Sequence, residues 1–434
     1  MLSLVIVGSI FLAIALGYKT KINTGFFAIA FAYLIGCFGM NLKTGAVIGM
    51  WPVKTMFVIF AVSIFYNFAL VNGTLEKMSK YLLYSCRKFP GLLPFALFLV
   101  ATILASIGAG YFTVLAFMAP VTLLICDEAK MDKAVGAVAV NCGALVGGNF
   151  MTSNLGVIFI GLIRDVLGNN TSIDAFNVSF VIFVCSFIFA LIYIACLRYI
   201  PKSNRHIGAG VTFEKPEPLN AKQKTNLNLM ILMMVVVLIF PILHIILPQV
   251  KMITMINSKI DVGLVAIIFS IIALMLNLAP QKDVIAKIPW NTIIMICGVG
   301  MLIQVAIKAG TVKALATWIG ANIPTVLVPI AFSIVGGFMS FFSSTTGVVC
   351  PALFPLIPGL SATTGLHATV LFVCTVLGAQ SSAISPFSSG GSLILGGCAN
   401  EEERNELFNR LLFVAVPSSI ITAMIFNFVL SFLL

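Results

Sequence analysis

Long apolar runs follow one another from end to end of this chain, parted by short stretches rich in lysine, asparagine, glycine and proline. Each run is about 16 to 23 residues, close to the ~20 needed to cross a bilayer as a helix. Barrel strands would be about ten residues long with alternating polarity, and that pattern is missing from the sequence. The runs predict helices over 2–17, 24–40, 54–72, 134–163, 177–197, 227–248, 260–278, 291–307, 366–397 and 411–433. Two further regions, 92–126 and 325–358, are apolar but broken in the middle, as re-entrant hairpins would be. The opening "MLSLVIVGSIFLAIALGYKTK" lacks a basic start, so a first membrane helix is expected there rather than a signal peptide.

Composition agrees. Of 434 residues 60% are hydrophobic and 9% charged, with mean hydropathy +1.12, against about 25% charged in soluble domains. The expectation is an all-α polytopic membrane protein with about 10 transmembrane helices plus two re-entrant helical hairpins. Taking 92–126 and 325–358 as hairpins puts 18 of the 25 basic residues in loops 18–23, 73–91, 127–133, 198–226, 279–290 and 398–410. The positive-inside rule then makes those loops cytoplasmic and leaves both termini outside, in a multi-pass protein of the cell inner membrane. The net charge of +11 is thereby absorbed by loops, without a nucleic-acid partner. The ten cysteines lie mostly in apolar segments without a CxxC pair, as small buried hydrophobes.

The order of elements occurs twice. Residues 1–197 give three helices, a hairpin, an interrupted helix and a final helix, and residues 227–434 give the same series from the opposite side. This predicts an inverted repeat joined by a cytoplasmic linker, 198–226. Short amphipathic stretches at 73–88 and 308–323 precede the hairpins as surface arms.

Four segments break the apolar pattern: the hairpin tips "ASIGAGYFT" (105–113) and "FFSSTTG" (341–347), and the interruptions "NCGALVGGNFMTSN" (141–154) and "GAQSSAISPFSSGG" (378–391). Backbone that leaves a helix inside a bilayer must be buried in protein or line a site, because unpaired N–H and C=O groups each cost several kcal/mol in lipid. Glycine permits the turns, and Pro386 ends the helical ladder at the second interruption. Half-helix N-termini entering such a break suit an anion, and carbonyls with C-terminal ends suit sodium. Transporters with inverted repeats bind substrate and ion in this manner. Segments 92–126, 134–163, 325–358 and 366–397 contain no Asp, Glu, Lys or Arg. A proton antiporter normally uses a membrane carboxylate, so sodium is the expected coupling ion. His367 and His244 stand at helix ends, as interfacial residues. With three histidines in all and no carboxylate at depth, an enzyme is not expected and no other cofactor is implied.

The order of hairpin and interrupted helix resembles the ion transporter superfamily, which includes the divalent-anion:sodium symporters. Those carry Ser-Asn-Thr at each hairpin tip. The second tip here has Ser344-Thr345-Thr346, matching the outer positions, whereas Gly110-Tyr111-Phe112 at the first tip keeps none of the three. The stretch 72–120, with its glycine-rich first tip, is similar to the malonate/dicarboxylate carrier type. That resemblance implies a dicarboxylate substrate (malonate or a C4-dicarboxylate), a homodimer, and elevator movement of hairpins and interrupted helices against a fixed scaffold. On this reading Ser344, Thr345, Thr346, Ser388 and Ser389 donate to substrate carboxylates. Asn149, Ser153, Asn154 and Gly110 complete the site from the first half. Sodium is held near Gly108, Gly147, Ser343 and Ser385. The alternative is an antiporter or permease for a different small solute on the same fold, not coupled to sodium.

Overall fold

The computed structural model describes residues 2–86, 92–168, 173–199, 216–247, 249–257, 259–342, 344–398 and 400–433, and no strand occurs among them. In the first half, α1 (Leu2–Thr20), α2 (Thr24–Tyr33) and α3 (Val53–Val71) precede an arm, α4 (Thr74–Cys86). Next come α5 (Leu93–Leu104), α6 (Tyr111–Glu128), α7 (Lys133–Gly148), α8 (Asn154–Leu167) and α9 (Ala175–Tyr199). The second half has α10 (Ala221–Ile246), α11 (Val262–Met275), α12 (Trp290–Lys308) and its own arm, α13 (Thr311–Asn322). It continues through α14 (Val328–Phe342), α15 (Thr345–Thr364), α16 (Ala368–Ser381), α17 (Ser389–Gly396), α18 (Glu401–Arg410) and α19 (Val416–Leu433). The chain is a multi-pass membrane protein built wholly of helices and turns among these residues.

The predicted helix 134–163 is two helices, α7 and α8, parted by a turn at 149–153, and 366–397 is α16 and α17 parted by 382–388. Several stretches expected to be loop are helix, among them 281–286 within the loop 279–290. Residues 401–410, rich in charge, form α18, because Asn400 accepts from the Glu403 N–H and three glutamates occupy the first turn, where the helix dipole favours them. Residues 221–226, at the end of the expected linker, open α10 behind a capping box of Asn220 and Gln223.

Contacts between elements fix their directions. Gly143 and Gly147 of α7 press on the Phe98 and Thr102 carbonyls of α5, so α5 and α7 run parallel. Gly136, near the start of α7, instead meets Cys126 and Thr122 near the end of α6, so α6 runs back. Residues 93–128 are therefore a hairpin that returns to its starting face. The second half repeats the arrangement. Gly378 of α16 presses on Ser333 of α14, and Ser382 Oγ donates to the Gly337 carbonyl at 2.8 Å. Phe354 meets Phe372 lower down, with centroids 4.8 Å apart, so α15 runs antiparallel to α16. Lys133 at the start of α7 pairs with Glu403 beyond the end of α17, so the two interrupted helices cross the membrane in opposite senses. The arms match as well: Gly73 and Gly310 adopt φ of 74° and 75°, and each is followed by a buried threonine, Thr74 or Thr311, that opens the arm helix.

Both α7 and α16 are buried on every side among the described residues, as helices apolar all round should be. Around them pack α5, α6, α9, α14, α15 and α19, with α17 seated on α6. The helices α1, α2, α3, α10, α11 and α12 form a second group. Within it, α2 and α12 cross so closely that Gly25 lies on the Ile294 backbone and Gly298 on that of Gly25, the small-residue packing of membrane helices. The groups meet where α3 and α12 face α8 and the two hairpin tips.

Candidate functional site

The first tip is made by two glycines in conformations other residues avoid: Gly108 (φ 101°) and Gly110 (φ 74°). A side chain at Gly108 would overlap the Tyr66 ring of α3, whereas the space beyond Gly110 is open. From Gly110 the chain enters α6, so the helix N-terminus stands at the tip. Beside it, the first interruption folds back onto the same turn. Ser153 is buried and its Oγ donates to the Ala105 carbonyl at 2.6 Å. Tyr66 Oη donates to the Thr152 carbonyl at 3.2 Å, while Thr152 Oγ1 is buried without a partner among the described residues. Asn154 is the first residue of α8 and is half-buried.

At the second tip, Ser344 is extended (φ −103°, ψ 134°) and its Oγ accepts from the Gly347 N–H at 3.1 Å, capping α15. Thr345 Oγ1 lies 3.0 Å from Ser340 Oγ, and Thr346 is buried. Gly347 rests on Met295 of α12 as Gly108 rests on Tyr66. In the second interruption Ser385 is buried and its Oγ accepts from the Phe387 N–H at 3.2 Å. Ser388 accepts from the Gly391 N–H and donates to the Ala383 carbonyl at 2.6 Å, capping α17. Helix N-termini thus stand at Tyr111, Asn154, Thr345 and Ser389, one after each break, with the positive dipole ends and free N–H groups that a helix start supplies.

Three contacts tie the breaks together. The Asn149 and Gln380 amides bond reciprocally: Asn149 Nδ2 donates to Gln380 Oε1 at 2.9 Å, and Gln380 Nε2 donates to Asn149 Oδ1 at 2.7 Å. Tyr111, at the first tip, donates to Asn141 Oδ1 at 2.7 Å, and its hydroxyl lies where a side chain at Gly390 would be. Phe341 beside the second tip meets Phe387 of the second interruption, with centroids 5.7 Å apart.

The sequence-derived residues fall into three sets. Ser344, Thr345, Thr346, Ser388, Ser153, Asn154 and Gly110, with Gly108 and Ser385, lie in the tips and breaks these contacts connect. Asn149 and Gly147 lie at the same junction but face inward: the Asn149 side chain is committed to Gln380 and Ser186, and Gly147 is pressed on the Thr102 carbonyl. Ser343 and the Ser389 side chain lie outside the described residues. Gln380, Tyr111 and Tyr66 carry connections that the sequence reading did not assign. For Gln380 the signal is internal: Gly147-Gly148-Asn149 and Gly378-Ala379-Gln380 place an amide two residues after a close-packed glycine in both interrupted helices.

Residues 1–148 match the family model described as the dicarboxylate carrier protein MatC N-terminus, which bears out the resemblance to malonate/dicarboxylate carriers over that third of the chain. Among curated protein sequences none matches this chain. Solved structures share the fold, and two of them are transporters or pumps by description. One is the Alcanivorax borkumensis YdaH transporter, with TM-score 0.61 and 14% identity, covering 89% of this chain and 86% of that chain. The other is Neisseria gonorrhoeae MtrF, presented as illuminating a class of antimetabolite efflux pumps, with TM-score 0.56 and 12% identity, covering 92% of this chain and 85% of that chain.

Proposed function

We propose that the chain is a secondary active transporter of a small dicarboxylate, coupled to sodium and working by an elevator movement. The observation that carries this reading is the gathering of four uncharged breaks, each opening a helix, at one junction between oppositely running halves. The dicarboxylate carrier match over residues 1–148 supports the substrate class. Two carboxylates would be met by helix N-termini and by Ser344, Thr346 and Asn154. Ser388, which already accepts and donates within its own turn, acts chiefly by holding the start of α17 in place. Sodium ions would supply the positive charge the side chains lack. At the first tip the unpartnered Thr152 hydroxyl and the carbonyls of the turn 105–109 are oxygen donors of the right kind.

The division into two helical groups supports the movement. Hairpins, interrupted helices, α9 and α19 form one body, and the tips rest on α3 and α12 of the other through Gly108 and Gly347. A homodimer, which the resemblance to these carriers implies, is part of the same reading. The breaks carry neither carboxylate nor histidine in sequence, which supports carriage rather than chemistry.

Uptake of labelled malonate and succinate into proteoliposomes, with and without an inward sodium gradient, tests the reading. Sodium-dependent uptake, lost in Ser344→Ala and Thr346→Ala, is expected. Sodium-independent exchange, or transport of a different solute only, would replace it with the antiporter or permease reading that an efflux-pump relative invites.

A further inference from the structure

We infer that Asn149 and Gln380 form the joint that makes the two breaks a single moving unit, and that Asn149 positions the site without touching substrate. Four observations carry this. The two side chains hydrogen-bond each other in both directions, at 2.9 and 2.7 Å, and are 0% and 6% exposed. They come from helices that cross the membrane in opposite senses, and each stands two residues after a glycine packed on the first arm of its own hairpin. The pair therefore lies where the two series of elements are equivalent and meet, so any slippage of one against the other must break both bonds at once. Asn149 Nδ2 also reaches Ser186 Oγ at 3.0 Å, and Asn149 Oδ1 takes the Gln380 bond, which leaves the amide committed on both sides. Tyr111 adds a second tie across the same boundary, from the first tip to Gly390 of α17. This deepens the transport reading in naming what positions the site, but the pairing itself stands on geometry alone.

The test is a double-mutant cycle on the full chain, with Asn149→Ala, Gln380→Ala, the double variant, and the exchange Asn149→Gln with Gln380→Asn. Thermal unfolding in detergent reports the pair whether or not a substrate is found. Dicarboxylate uptake in proteoliposomes reports its role in transport. Each single change is expected to lower the maximal rate roughly three- to tenfold with KM unchanged. The double variant should lose no more than either single one, in rate and in Tm alike, and the exchange should recover most of both. Additive losses in Tm would overturn the joint. A rise in KM for Asn149→Ala that Gln380→Ala does not share would return Asn149 to the substrate. If no variant, nor the unaltered chain, moves dicarboxylate, the transport reading fails while the Tm cycle still decides the pairing.

Discussion

Gly378→Ala tests the packing on which the second half of the site depends. A Cβ there would fall 2.7 Å from the Ser333 carbonyl oxygen and 3.0 Å from its carbonyl carbon, and nearer still to its Cα. Carbon atoms pack at about 3.5–4.0 Å, and the obstructing atoms are backbone, so no rotamer relieves the overlap. Helix α14 must move away from α16 by about 1 Å. That shift stretches the bond from Ser382 Oγ to the Gly337 carbonyl, now 2.8 Å, which is worth about 1 kcal/mol. Overpacking of this kind costs about 1–3 kcal/mol, against a gain of about 0.5–1 kcal/mol for replacing a helical glycine. The net expectation is a loss of about 1–3 kcal/mol, and a melting temperature lower by about 1–3 °C in detergent for a chain of 434 residues. Gly8→Ala in α1, where nothing lies within 4 Å of the added carbon, is the control and should melt no lower than the parent. If Gly378→Ala and Gly8→Ala melted alike, close approach of α14 and α16 would not be what holds the second tip over its break.

Other substitutions probe other joints. Gly108→Ala meets both a positive φ and the Tyr66 ring, so it should displace the first tip and cut uptake at least tenfold; uptake kinetics check this. Ser153→Ala removes the 2.6 Å bond to Ala105 and should lower stability by about 1 kcal/mol, read from thermal unfolding. Lys133→Met deletes ion pairs to Asp127 (2.7 Å) and Glu403 (3.0 Å) and should cost about 1 kcal/mol in the same measurement.

Much of the architecture was legible because a bilayer limits what a sequence can mean. Apolar runs bounded by lysines place helix ends within a few residues, and Gly110, Ser344 and Pro386 in such runs have few uses besides a break. Where charge replaced hydropathy as the guide, the reading slipped: residues 401–410 look like loop by composition, although Asn400 and the glutamates after it are a readable helix start. The joint between Asn149 and Gln380 was out of reach for a different reason. Its partners are 231 residues apart, and an amide beside a break serves equally well as ligand or as packing contact until its neighbours are known. The Tyr66 and Met295 contacts likewise depend on how one helical group lies against the other, which local pattern does not encode.

The ion pairs of Lys77, Lys80, Lys133 and Arg410 all stand at one rim, the face at which α3 ends and α5 and α7 begin. With the helices set across a bilayer, the bath on that side is the one in contact with this rim. Electrolyte raised in one compartment therefore screens them, over a distance of about 8 Å at physiological strength, while the same electrolyte across the membrane leaves them untouched. In vesicles of uniform orientation the protein should thus sense which bath is concentrated, a directional response that owes nothing to the cargo.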